Sequence, residues 1–166
     1  DITTLLHAYA RLQQLATDRT TAIPQLWLLG DGRDRPALER LARDLDINVR
    51  FLGFRPDAAP YIGRCTALVH SSKYEGFGLA IAEAVILQKP VIASDCPTGP
   101  AEILNHGNAG ILTPVGDAEA MAQAMLRVAS DPMLRNKLSH QAALHSGTFS
   151  INTAVTSLIK LLNLKP

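Results

Sequence analysis

The strongest constraint on the fold is an alternation. Short runs of Val, Ile and Leu are each followed by a longer stretch whose apolar residues recur every three or four positions. Leu5, Leu6, Tyr9, Leu12 and Leu15 set that period at the start of the chain and predict an amphipathic helix over residues 3–15. Apolar runs predict strands at 26–29, 49–54, 67–70, 90–94 and 109–112. Helices are expected between and after them, at 34–44, 60–64, 78–87, 100–105 and 117–129. Asp117 is a suitable N-cap, and Asp131-Pro132 places a cap and a first-turn proline at the head of a further helix. Ser150 or Asn152 would cap a last helix ending near Leu162.

Strands separated by helices pair in parallel, and crossover helices cover both faces of the sheet. The expected fold is a doubly wound α/β domain over residues 1–166, with a helical tail over about 131–162. A domain of this kind normally opens with a strand, whereas this sequence opens with a helix. A parallel sheet without its first strand exposes unpaired backbone groups.

Composition narrows the function. Hydrophobic residues make up 47% and charged residues 19% of the 166, which suits one globular domain with a real core. Sixteen Lys and Arg against fifteen Asp and Glu leave a net charge of +1, with no basic field for nucleic acid or an anionic membrane. No apolar run approaches the roughly 20 residues that span a bilayer. Asp1-Ile2-Thr3-Thr4 does not read as a signal peptide, and two cysteines without C-x-x-C spacing fit a reducing cytosol. His140 and His145 lie five apart, off a shared helix face, so no metal site is expected. Cys65 is expected to pack as a small apolar residue and Cys96 to be inert. Trp27 is expected in the core.

The informative segment is Ser71-Ser72-Lys73-Tyr74-Glu75-Gly76-Phe77-Gly78-Leu79-Ala80-Ile81-Ala82-Glu83-Ala84. It leads from the end of a strand into a helix, the place where open α/β sheets bind ligands. Gly76 and Gly78 let backbone amides approach a ligand, and the free N–H groups and dipole of the following helix favour an anion such as a diphosphate. Glu75 and Glu83 bracket the loop. Carboxylates repel phosphate and accept from hydroxyls. Amides for a phosphate and carboxylates for hydroxyls describe a nucleotide-sugar site. Read separately, a Gly-x-Gly is a tight turn and a helical Glu a solvated face. Their combination at a strand-to-helix junction carries the functional reading.

The spacing of Glu75 and Glu83 around Gly-Phe-Gly-Leu resembles the signature of the retaining glycosyltransferases of family four, or group one. Gly53-Phe54, Pro90-Val91-Ile92-Ala93-Ser94-Asp95, Gly99-Pro100-Ala101-Glu102-Ile103-Leu104 and Gly110-Ile111-Leu112 extend the resemblance over nearly the whole chain. It implies the C-terminal, donor-binding domain of a GT-B enzyme, two Rossmann-like domains facing a cleft. It implies that Glu75 positions the donor sugar through its hydroxyls, that Glu83 binds the ribose, and that the amides of Gly76, Phe77, Gly78, Leu79 and Ala80 meet the diphosphate and sugar. Phe54 and Arg55 would border the base, and Ser71 the lip of the site, where capping a strand end explains its hydroxyl equally well. No cofactor or metal is implied, only the nucleotide-sugar donor.

His70 stands where many members have Pro, and packing and ligand contact are both open for it. Lys73 suits a phosphate or a solvated loop, and Glu102 the cleft or a helix N-terminus. Gly30-Asp31-Gly32 is read as the family's turn, since it lacks the third glycine of a dinucleotide site. In the family a strand and a loop bearing an Arg and a Lys precede the helix that opens this sequence, and the strand lies between those at Leu26 and Ala67. The expectation is therefore a fragment or truncated product lacking that strand, those cations and the N-terminal acceptor domain. The expected function is glycosyl transfer in cell-envelope polysaccharide, glycolipid or glycoprotein assembly, in the cytoplasm or at the inner membrane face through the absent half. The alternative is a truncated noncatalytic nucleotide-sugar-binding or interaction domain. A receiver domain lacks its acidic cluster here, and an epimerase is a nearer rival that the Gly-Phe-Gly segment disfavours.

Overall fold

A computed structural model describes residues 1–16 and 22–149. In chain order the elements are α1 (Ile2–Ala16), β1 (Leu26–Leu29), α2 (Arg35–Asp44), β2 (Val49–Gly53), α3 (Ala59–Ile62), β3 (Leu68–His70), α4 (Leu79–Ile86), β4 (Val91–Ser94), α5 (Pro100–Ile103), β5 (Ile111–Thr113), α6 (Ala118–Ser130) and α7 (Pro132–Ser146). A single 3₁₀ turn, Gly147–Phe149, follows. The final helix expected after Ser150 lies outside the described residues.

Asp117 Oδ1 accepts from the amide of Ala120 at 2.8 Å, and Asp131 Oδ1 from that of Leu134 at 3.0 Å. Both caps therefore fall where the residue types place them, each worth about 1 kcal/mol. Asp1 fills the same role for α1, accepting from the amide and hydroxyl of Thr4.

All strand pairs are parallel, as the alternation requires, but they form two sheets: β1 with β2, and β3-β4-β5 with β4 central. No ladder joins β1 to β3 among the described residues. The break falls where the family resemblance puts one more strand. Side-chain packing carries the two sheets across it. Leu5, Leu6, Tyr9 and Leu12 of α1 and Met121, Met125 and Val128 of α6 form a common core with Leu26, Leu28, Val49, Val69 and Ile92. Burying each Leu fully contributes about 1.5–3 kcal/mol. A second core lies on the other face of the larger sheet, where Ile81 and Val85 of α4 meet Val91, Ile103 and Ala142. All four residues of β4 are buried, the signature of a strand covered on both faces.

Among the described residues the smaller sheet is covered on one face only. Leu26 and Leu28 turn inward, while Trp27 is 48% exposed and its ring lies 5.1 Å from the Arg50 guanidinium. The core placement expected for Trp27 is thus incorrect. The residue is apolar, but no helix among the described residues covers its side of β1, and a cross-strand cation lies over the ring.

Candidate functional site

The site is built at the carboxyl end of β3. Leu68, Val69 and His70 lie in register with Val91, Ile92 and Ala93, which fixes where the chain leaves the sheet. The loop from Ser71 then turns into α4 at Gly78, whose φ of +99° is left-handed. A side chain there would be strained by its backbone alone and would also meet Ile81 and Ile103. The amides of Ile81 and Ala82 donate to the Gly78 carbonyl. No side chain caps α4, so the amides of Leu79 and Ala80 point out of the helix start with no acceptor among the described residues. Two open donors at the positive end of a helix dipole suit an anion.

Gly76 differs from Gly78. Its backbone is not left-handed, and no atom lies within 4 Å of where a Cβ would stand. Nothing within the protein requires glycine at 76. The absent side chain leaves open space beside Glu75.

Glu75 is half-buried and tied on one oxygen. The Ser72 hydroxyl donates to Oε1 at 2.6 Å, and His70 Nε2 lies 3.3 Å from the same oxygen. Among the described residues no partner meets Oε2. His70 Nδ1 is buried with no hydrogen-bond partner among the described residues. Burial holds the His70 ring below its ordinary pKa, against the pull of Glu75. Cys96 is buried nearby, and burial, then the Glu75 carboxylate, push its thiol up, so it stays protonated.

A second loop buttresses the first, and sequence reasoning missed it. Between β4 and α5, Thr98 donates its hydroxyl to the Glu75 carbonyl. Thr98 has a φ of +62°, an uncommon conformation for a β-branched residue. Gly99 follows with φ +94°, and a Cβ on it would lie 1.8 Å from the Phe77 carbonyl oxygen. Thr98-Gly99-Pro100 directly after a buried strand was the available signal.

The other expected residues are placed as follows. The Ser71 hydroxyl is buried and donates to the Asp1 carbonyl at 2.8 Å, so it ties the loop to the start of α1. Lys73 Nζ lies 3.6 Å from the Asp1 carboxylate. Phe54 is 72% exposed just past the end of β2, with Arg55 exposed beside it. Glu83 is exposed on α4, one turn beyond Leu79, with no contact to Glu75. Phe77 and Leu79 add exposed apolar surface at the loop. Glu102, in the first turn of the short α5, is exposed.

A hollow of about 350 Å³ adjoins the same region, lined by Ile2 of α1 and the turn Gly30–Asp34. Of the two carboxylates that line it, Asp31 is engaged on both oxygens. Asp31 Oδ1 accepts from the Gly32 amide at 2.8 Å and Oδ2 from Arg35 at 3.0 Å. The Gly32 amide first, then Arg35, hold the Asp31 carboxyl below its ordinary pKa. Among the described residues no three His, Cys, Asp or Glu side chains converge as a metal cluster, and no helix is long and apolar enough to cross a membrane.

Comparisons with known proteins bear on the family and the fold. Residues 1–131 match the model of a family described as glycosyl transferases, group 1. The chain is 33% identical over 168 residues to the lipopolysaccharide core biosynthesis glycosyltransferase LpsE of Rhizobium meliloti, covering 98% of this chain and 46% of that protein. It is similar to the Anabaena Alr3699/HepE structure in complex with UDP, with a TM-score of 0.79, 26% identity, and 96% of this chain against 44% of that one. Staphylococcus aureus TarM shares the fold at 22% identity, with a TM-score of 0.83 over 98% of this chain and 32% of its own. The chain thus spans about half or less of the proteins it matches. Its fold is that of a Rossmann-like part of GT-B glycosyltransferases. With more than half of its residues matched by the family model, the chain belongs to the group 1 glycosyltransferases.

Proposed function

We propose that this chain is the donor-binding part of a retaining glycosyltransferase of family four, and that it binds a nucleotide-diphosphate sugar for transfer in polysaccharide or lipopolysaccharide assembly. One observation carries the reading. A half-buried carboxylate with an uncommitted oxygen stands beside an open glycine and the uncapped amides of α4. The relative LpsE is named for lipopolysaccharide core biosynthesis and the Anabaena protein was solved with UDP, which supports a UDP-sugar as the donor.

In this reading the diphosphate lies against the Leu79 and Ala80 amides. Negative charge develops on the leaving nucleoside diphosphate as the glycosidic bond breaks, and donors already aimed there stabilise it without reorganising. Glu75 accepts from a sugar hydroxyl and orients the ring. It is assigned no covalent role. Glu83 takes the ribose hydroxyls, and Phe54 and Arg55 border the base.

The test is calorimetric titration of the chain with UDP, GDP and their sugar conjugates, repeated on Glu83→Ala. The expected result is saturable binding of the uridine series, weakened about tenfold in the variant, the loss of one hydrogen bond to a charged group. No binding by a folded chain overturns the reading. Because the chain spans about half of its relatives, a domain that binds donor without transferring the sugar is the second reading. An assay for sugar transfer separates the two.

A further inference from the structure

The Glu75 carboxylate is held asymmetrically, and the ring beside it has one sensible protonation state. His70 Nε2 lies 3.3 Å from Glu75 Oε1, and His70 Nδ1 is buried with no partner. A proton on Nδ1 would bury an unpaired N–H and set the lone pair of Nε2 against a carboxylate oxygen. A proton on both nitrogens would bury an unpaired N–H of a cation. A proton on Nε2 alone places a donor 3.3 Å from Oε1, short of a formed hydrogen bond, and leaves only an acceptor unpaired, the least costly of the three. The Ser72 hydroxyl, 2.6 Å away, already donates to Oε1. One hydroxyl bonded to that oxygen and one ring edge close to it hold the carboxylate by Oε1.

We propose that His70, as its Nε2–H tautomer, and Ser72 are positioning residues that clamp Oε1 of Glu75 and so present Oε2 to a hydroxyl group of the donor sugar. The inference rests on the donor-site reading above and deepens it. A separation of 3.3 Å is long for a hydrogen bond, and bonds of this kind tighten when substrate arrives. The proposal also explains how a histidine is used at the strand end. Its Nδ1 edge is buried, and its Nε2 edge faces a ligand-binding group.

The test has two independent arms on the full chain. In the first, ¹⁵N spectra of the histidine rings at pH 7.5 are compared with those of His70→Gln, which identifies the His70 signals. The expected pattern is a protonated Nε2 and an unprotonated Nδ1. A proton on Nδ1 overturns the clamp. In the second arm, UDP-glucose and UDP are titrated separately. Ser72→Ala and His70→Phe should each weaken UDP-glucose by about tenfold and leave UDP unchanged, whereas His70→Gln, whose amide can donate, should recover most of the loss. Equal losses for both ligands overturn the positioning role. If the unaltered chain binds UDP-glucose no tighter than UDP, the donor-sugar role of Glu75 falls, and the ring spectra still decide the clamp on their own.

Discussion

Two loops of this protein share a plan and differ in use. Both leave a parallel strand, pass through Gly-x-Gly beside a carboxylate, and enter a helix. After β1, both oxygens of Asp31 are taken by Gly32 and Arg35. After β3, the protein holds Glu75 by Oε1 and leaves Oε2 uncommitted. A carboxylate with all its partners inside the protein builds a turn. One held in place but not satisfied is ready for a ligand. The glycines do not distinguish the loops, but the acceptor accounting does.

The largest expected effect separates the glycines that the fold needs from those it does not. Gly99→Ala drives a Cβ into the Phe77 carbonyl at a left-handed backbone position, and should destabilise the protein by about 3 kcal/mol or more in urea denaturation. Gly32→Ala, with open space and an ordinary backbone, should stay within about 0.5 kcal/mol. Comparable losses in both would show that the fold depends no more on Gly99 than on Gly32.

A sharper cut comes from Gly76→Ala. Nothing in the protein opposes that methyl group, so stability should hold within about 0.5 kcal/mol. Binding of a UDP-sugar should nonetheless fall several-fold in titration. Unchanged binding would show that the ligand does not approach over Gly76.

The smallest effect is a difference in acid response. Burial depresses the His70 pKa from 6.5, and the facing Glu75 opposes it. Lys73 and Cys96 complete the titratable surroundings, Lys73 acting on Asp1 and Cys96 lying near Glu75. The unfolded chain therefore takes up this proton first, and stability declines as pH falls from about 6.5 toward the lower folded value, then levels off. Asp31 has its pKa depressed from 3.8, so its contribution persists at neutral pH and is lost only as pH falls below about 4 through the lower folded value. Thermal melts of the unaltered protein and His70→Gln between pH 7.5 and 5 should diverge as the pH drops. Parallel curves would place the His70 proton elsewhere.

Much of this architecture could be read from residue order. Apolar runs and three-to-four periodicity placed the strands and helices because burial dictates both patterns. Asp117 and Asp131 marked their helix starts because few residue types satisfy open amides. Gly78 was legible as the entry to α4. Partners distant in sequence were not. Thr98 reaches the Glu75 carbonyl from 23 residues away, and only the sheet brings them together. Trp27 was misplaced because an apolar run does not say which faces of a strand receive a helix. The division into two sheets was legible only through the family resemblance, which puts one more strand between β1 and β3, since pairing is a property of neighbours and not of any one strand. Glu83 and Glu75 were read as a pair, but the protein alone gives them no contact, so any partnership requires a ligand between them.

The packing of α1 on α6 also bears on how the chain is made. Arg11 and Glu119, which join these helices through an ion pair of 2.6 Å, are 108 residues apart. At roughly 5–20 residues per second, a ribosome needs roughly 5–20 s to deliver the second helix after the first. Through that interval Leu5, Leu6, Tyr9 and Leu12 lack the surface that later buries them. A nascent chain of this protein therefore carries a waiting apolar helix, and chaperone occupancy during synthesis should concentrate on it until α6 emerges.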